Sequence, residues 1–288
     1  MYVINQKDCS ELVRDLNKVL DEGGADVLSR LAAKLRERAT TSLVLGVIQM
    51  GLQATTESLA EGVFFRDGCV TLANNSRFAL DLRYTFSDEG AAMAPAGERS
   101  RLLARSSDVI IANIGPRVLE GVRYEIDREV CFDEFDTSAS LVEAGRFKLG
   151  SGDCLIVRGG RDVASLGDVT DVRFLSLMRA PGWSLDWVFD RESLRPIARS
   201  VAHVDDSQLV TCLEVATWLQ SEHLHPAVRA LLDHPAHFVR WKAVQALGAL
   251  GQVEVEDILR RASTRDRHPD IRKAAYSTLA RLTLPDSA

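Results

Sequence analysis

FVRWKAVQALGAL, from Phe238, and DIRKAAYSTLARL, from Asp270, are one pattern written twice. Val239, Arg240, Ala243, Leu247 and Leu250 correspond to Ile271, Arg272, Ala275, Leu279 and Leu282, each pair 32 residues apart. A constant offset over five positions is an internal repeat, and a unit this short buries its apolar face only by stacking on a neighbour. Each copy comes after a His-Pro pair near a helix start, His234-Pro235 or His268-Pro269, and a shorter helical stretch, 227–232 or 255–262. Two copies bury too little for an independent solenoid, so a helix over 207–222 is expected to complete the stack. His234, His237 and His268 then belong to turns between helices, which is a structural place for them.

Residues 225–282 resemble HEAT repeats, in which antiparallel helix pairs stack with valine, arginine, alanine and leucine at these positions. The charge of the same region points to a surface role. From Ile258 to Leu282 there are seven basic side chains against two acidic ones. Arg260, Arg261, Arg265 and Arg272 are therefore the candidate contacts to a protein partner with an acidic surface. Such a stripe also suits phosphates, so a regulator touching nucleic acid is an alternative. The net charge of −6 argues against a protein that coats nucleic acid with its whole surface.

Upstream the rhythm is different. Residues 8–21 read as an amphipathic helix with Leu12, Val13, Leu16, Val19 and Leu20 on one face and Asp8 or Ser10 as cap. Gly23 and Gly24 stop it, and a second helix over 26–38 carries Leu28, Leu31 and Leu35 on a stripe. The apolar run 43–52 is too short for a membrane span and reads as a buried segment, helix rather than strand. From Phe64 the period changes to two, most clearly where Phe78, Leu80, Leu82, Tyr84 and Phe86 alternate with polar residues. Residues 87–99 read as a loop. Further strands are expected at 109–114, 118–126, 130–135, 172–178, 185–189 and 197–204, too close together for crossover helices. That spacing excludes a doubly wound sheet and favours an antiparallel jelly roll.

Between these strands lies Gly145 to Leu166, GRFKLGSGDCLIVRGGRDVASL, with apolar runs at 147–149 and 154–157 separated by Gly-Ser-Gly-Asp and followed by Gly159-Gly160. Glycines supply the positive φ of tight turns, so the stretch reads as strand, turn, strand, turn, strand. It resembles the second motif of the cupin superfamily, with Gly152 opening the pattern and Gly160 at its inner glycine. Arg158 stands at the family's proline place and Val163 at its metal-binding histidine. The resemblance implies a small β-barrel; the missing histidine implies one without the family's metal.

The rest of the chain agrees on the metal. All six histidines lie at or after 203, so the barrel strands before it contain none. At the place of the first cupin motif, RLLARSSDVIIANIG, stand Arg101, Arg105, Ser106 and Ser107. His203-Val204-Asp205 has the His-x-acid form of facial-triad iron sites, but the chain beyond it is helical and brings no second imidazole from a strand. His223 and His225 sit at a helix end beside Pro226. No metal and no cofactor is expected. Arg158, Arg161 and Asp162 flank the Gly159-Gly160 turn and are the candidate contacts for a small anionic ligand such as a carboxylate or phosphate. Asp127, Glu129, Asp133, Glu134 and Asp136 read as a wet acidic face.

Five cysteines with no CxxC pair read as reduced thiols. The first residues lack a signal-peptide core, which gives a cytoplasmic expectation. The fold class read from all this is α+β: N-terminal helices over 1–60, a cupin-like barrel over 61–204 and HEAT-like helices over 205–288. The functional expectation is a non-catalytic binding or interaction protein, with a metal-free barrel for a small anionic ligand or scaffolding and C-terminal helices docking a protein partner. A cupin-fold enzyme with a non-standard site is the alternative. Exposed barrel edges are compatible with a homodimer.

Overall fold

The computed structural model describes residues 6–38, 64–66, 69–84, 100–167, 173–251 and 254–282. It divides into two compact units, residues 1–200 and 201–288. Among the described residues no helix is long and apolar enough to cross a membrane. The apolar run 43–52 and the loop 87–99 lie outside the described residues.

The first unit opens with α1 (Gln6–Glu22) and α2 (Val27–Arg38), joined at Gly23 and Gly24. The two glycines hold φ of +61° and +102°, which a side chain would resist. Leu12, Leu16, Leu31 and Leu35 are fully buried, the faces their spacing predicts. Burying each is worth about 1.5–3 kcal/mol. They share one core with Leu80, Leu82, Ile110, Leu175 and Leu177. The hairpin thus covers the outer face of a sheet.

That sheet and its partner layer use β1 (Phe64–Arg66), β2 (Cys69–Asn74), β3 (Phe78–Tyr84), β4 (Arg101–Ala104), β5 (Val109–Asn113) and β6 (Leu119–Ile126). They continue with β7 (Leu141–Leu149), β8 (Cys154–Val157), β9 (Asp162–Leu166), β10 (Arg173–Arg179), β11 (Leu185–Asp190) and β12 (Pro196–Val201). One sheet runs β1-β2-β3-β10-β5-β8. The opposing layer is β12-β11-β4 beside β7-β6-β9, meeting where β4 lies along β9. The register pairs are antiparallel. Val109, Ile111 and Phe174 from the first layer meet Leu119 and Leu149 from the second, so an apolar core fills part of the space between. This is the cupin-like jelly roll implied by the glycine spacing, packed under N-terminal helices.

Two expectations need correction. Residues 130–135 form no strand: the chain turns there, with the Glu134 amide donating to Cys131 O at 2.9 Å. Phe132 is nonetheless 0% exposed and stacks on Trp187, whose Nε1 donates to Phe132 O at 2.7 Å. The alternating apolar residues plug the outer face of the second layer instead of joining its ladder. Second, β4 lies in a stretch read only as a departure from a motif. The strand, turn, strand, turn, strand order expected around the two glycine turns is present. β7 pairs with β6, β8 with β5 and β9 with β6, so each turn carries the chain from one layer to the other.

The second unit holds α3 (Val204–Leu219), α4 (His225–Ala230), α5 (His237–Ala249), α6 (Val255–Arg265) and α7 (Pro269–Leu282), with single 3₁₀ turns at Glu222–Leu224 and Leu231–Asp233. The helix expected over 207–222 starts earlier and stops at Gln220, whose φ of +48° ends it. α3 packs on α5, α5 on α6, and α6 on α7. Val239, Ala243, Leu247, Ile271 and Ala275 are buried, as their shared register requires. Leu282 breaks the equivalence. It is 63% exposed where its counterpart Leu250 is 9% exposed.

Candidate functional site

The repeat signature turns into geometry at Arg240. It lies on α5 and donates through Nη1 to the carbonyls of His234 and Pro235, at 2.8 and 2.9 Å. Arg272, its equivalent on α7, donates through Nη1 to Asp266 O at 2.7 Å. Both therefore tie down a carbonyl six residues upstream, and positions 234 and 266 are themselves 32 apart. Asp266 does more. Its carboxylate takes Arg240 Nε at 2.9 Å and Nη2 at 2.7 Å, and its Oδ1 also accepts the His268 amide at 2.8 Å. Burial would raise this carboxyl, but the bonds from Arg240 and the His268 amide outweigh it and hold Asp266 below the usual carboxylate value. The imidazoles of His237 and His268 stack at 3.8 Å in the same junction.

Around this junction opens a cleft of about 540 Å³. Arg229, Arg240, Arg261, Arg265 and Arg267 line it, with Asp233 and Asp266 as the acidic members. Its apolar part is Leu232, Val244, Ile258, Ala262 and Ile271. Of the four arginines expected to bind a partner, two arrive here. Arg261 and Arg265 are one turn apart on α6 and both exposed. Arg260 lies outside the lining and pairs with Glu256, while Arg272 is the carbonyl cap described above. Arg229, Arg240 and Arg267 do not stand out as cleft residues in the sequence, because the cleft is assembled from several helices. Arg229 pairs with Glu254, which lowers that carboxyl. Arg267 Nη2 donates to the same His234 and Pro235 carbonyls as Arg240, at 3.0 and 2.8 Å.

In the first unit the Gly159-Gly160 turn is internally bonded. Asp162 is 2% exposed; its Oδ2 accepts the Arg158 amide at 3.0 Å and its Oδ1 accepts Arg123 Nη2 at 3.1 Å. The Gly159 amide donates to Asp108 Oδ1 at 3.0 Å and the Gly160 amide to Arg105 O at 2.8 Å. The turn's amides and the Asp162 carboxylate thus serve the fold, and the Arg158 and Arg161 side chains stay exposed. Arg161 reaches Glu125 at 3.4 Å.

The polar side chains between the layers include Arg105, Asp186, Asp81, Asn113 and Ser176. Arg105 Nη1 lies 3.7 Å from Asp186 Oδ2 and reaches Met178 Sδ at 3.7 Å on the facing layer. Burial lowers the Arg105 guanidinium, with Asp186 opposing. Asp81 accepts Thr71 Oγ1 at 2.8 Å and faces Arg83 at 3.4 Å. A cupin metal needs imidazoles, and no histidine precedes 203. Among the described residues no group of three or more His, Cys, Asp or Glu converges as a metal site. The barrel strands therefore supply none of the imidazoles a cupin metal site uses.

A family model for HEAT repeats matches residues 194–288. The C-terminal helices are HEAT-like repeats. No curated protein matches the chain. Among solved structures, a sugar phosphate isomerase of the cupin superfamily from Silicibacter pomeroyi is 12% identical, with TM-score 0.25, over 47% of this chain and 77% of that one. The vicilin of Solanum melongena, described with different anionic ligands in structurally similar pockets, is 10% identical with TM-score 0.21, over 39% of this chain and 25% of its own. The vicilin of Corylus avellana is 10% identical with TM-score 0.19, over 45% and 34%. Likeness at this level says nothing of activity or ligand.

Proposed function

We propose that the protein is a non-catalytic interaction protein whose HEAT-like helices dock an acidic segment of a protein partner at the arginine-lined cleft. One observation carries this: the guanidinium groups of Arg261 and Arg265 stand exposed on the cleft with no hydrogen-bond partner among the described residues, while the arginine beneath them, Arg240, is paired. Like charges one helical turn apart oppose each other, so the arrangement gains when an anion joins it. Stacked helical repeats present such surfaces to partners, and the match over 194–288 supports the same role. The apolar part of the cleft adds area to whatever the arginines hold.

The barrel unit serves as scaffold in this reading. Arg158 and Arg161 offer a lesser contact for a small anion at its rim, with Asp162 as the brace that shapes the turn rather than as a ligand group. Hydrogen exchange on the full chain, with and without its partner, tests the assignment. Protection is expected over 255–272, and protection confined to other segments would refute it.

A further inference from the structure

The arginines of the cleft differ in how far the chain already uses them. Arg240 is fully engaged with Asp266, His234 and Pro235. Arg229 is turned to Glu254, and Arg267 spends Nη2 on two carbonyls. The Arg261 and Arg265 guanidinium groups make no hydrogen bond to any described side chain, and they share the cleft with Arg229 and Arg267. A carboxylate has two oxygens, enough to fill one guanidinium fork. Two forks without a hydrogen-bond partner among the described residues in one cleft, Arg261 feeling the charge of Glu254, with further donors beside them, match an anion with three oxygens and close to two charges. The apolar part, Ile258 and Ala262 on the same helix among it, adds contact area beside the arginines. The chain's net charge of −6 disfavours an extended polyanion and leaves one compact dianion as the better match.

We propose that the cleft recognises a phosphorylated side chain on a partner protein, with Arg261 and Arg265 gripping the phosphoryl oxygens. This rests on the docking reading above and adds the chemistry of what is docked. Phosphate monoesters bound by arginine pairs make bidentate charge-assisted bonds, and the loss of both forks is expected to cost at least about tenfold in affinity.

The test uses the immobilised full chain and degenerate peptide libraries with a fixed central phosphoserine, phosphothreonine or phosphotyrosine, each matched to the unphosphorylated and the glutamate-centred library. At least one phosphorylated library is expected to be retained about tenfold above both controls. Arg261→Gln/Arg265→Gln should abolish the difference, Arg265→Lys should keep part of it, and Lys148→Gln in the barrel unit should leave it unchanged. Both cleft arginines are exposed, and an unchanged thermal midpoint of the double variant confirms that it folds. Equal retention of glutamate and phosphorylated libraries would overturn the phosphoryl assignment while leaving acidic docking intact. Binding of inorganic phosphate without retention of any library would overturn the protein source. A short DNA duplex that binds more tightly than every library, with steep salt dependence, would overturn both readings in favour of nucleic acid.

Discussion

Arg240 and Asp266 form a two-pronged ion pair across the junction of the two repeats, Nε to Oδ2 at 2.9 Å and Nη2 to Oδ1 at 2.7 Å, with both side chains largely buried. Removing one partner leaves an uncompensated buried charge. Asp266→Ala is expected to destabilise the C-terminal unit by about 3–5 kcal/mol in urea unfolding, whereas Arg260→Ala, which loses only an exposed pair with Glu256, should stay within about 0.5 kcal/mol. The same pair sets an acid limit. Because the folded Asp266 lies below its unfolded value, its stabilisation is present above about pH 4 and is lost as pH falls through the lower folded value. Stability measured from pH 7 downward should therefore drop in that window, and Asp266→Asn should flatten the drop.

The Gly159-Gly160 turn predicts two severe substitutions. A Cβ on Gly160, at φ +72°, would lie 2.6 Å from the Trp183 ring; on Gly159 it would lie 2.5 Å from the Ser107 backbone. Gly160→Ala is expected to cost about 2 kcal/mol or more through backbone strain and overpacking. Thermal denaturation followed by tryptophan fluorescence reads both the loss and the displaced Trp183. Gly152, which also has positive φ but nothing near its Cβ, should suffer from strain alone.

Phe132 tests whether the segment after β6 belongs to the core. It is 0% exposed between Trp183 and Trp187. Phe132→Ala should cost about 3–5 kcal/mol in chemical denaturation, a loss that a solvent-facing acidic loop would never show.

These particulars show what a single sequence can and cannot express. The repeat was readable because Arg240 and Arg272 perform the same local task, capping a carbonyl six residues back, and local tasks leave constant spacings. The strand at Phe78 was readable because its Leu80 and Leu82 face buried helices while their neighbours do not. Residues 130–135 misled because Val130 and Phe132 alternate as a strand does, yet their burial comes from tertiary stacking on Trp187, where no ladder partner is offered. The glycine turns were legible as turns, but the ladder partners of the strands they join were not, because partners such as Val109 for Val157 lie far away in sequence. The cleft was half visible. Arg261 and Arg265 share one helix and one stripe, but Arg229 joins them only through the packing of α4 against α5 and of α5 against α6.

The most direct test of docking at the cleft is the affinity of the full chain for a peptide retained from the libraries above, before and after Arg261→Glu/Arg265→Glu, measured by titration calorimetry at fixed salt. A loss of at least about a hundredfold with the fold intact is expected, since two attractions become two repulsions. Unchanged affinity in the folded double variant would contradict it.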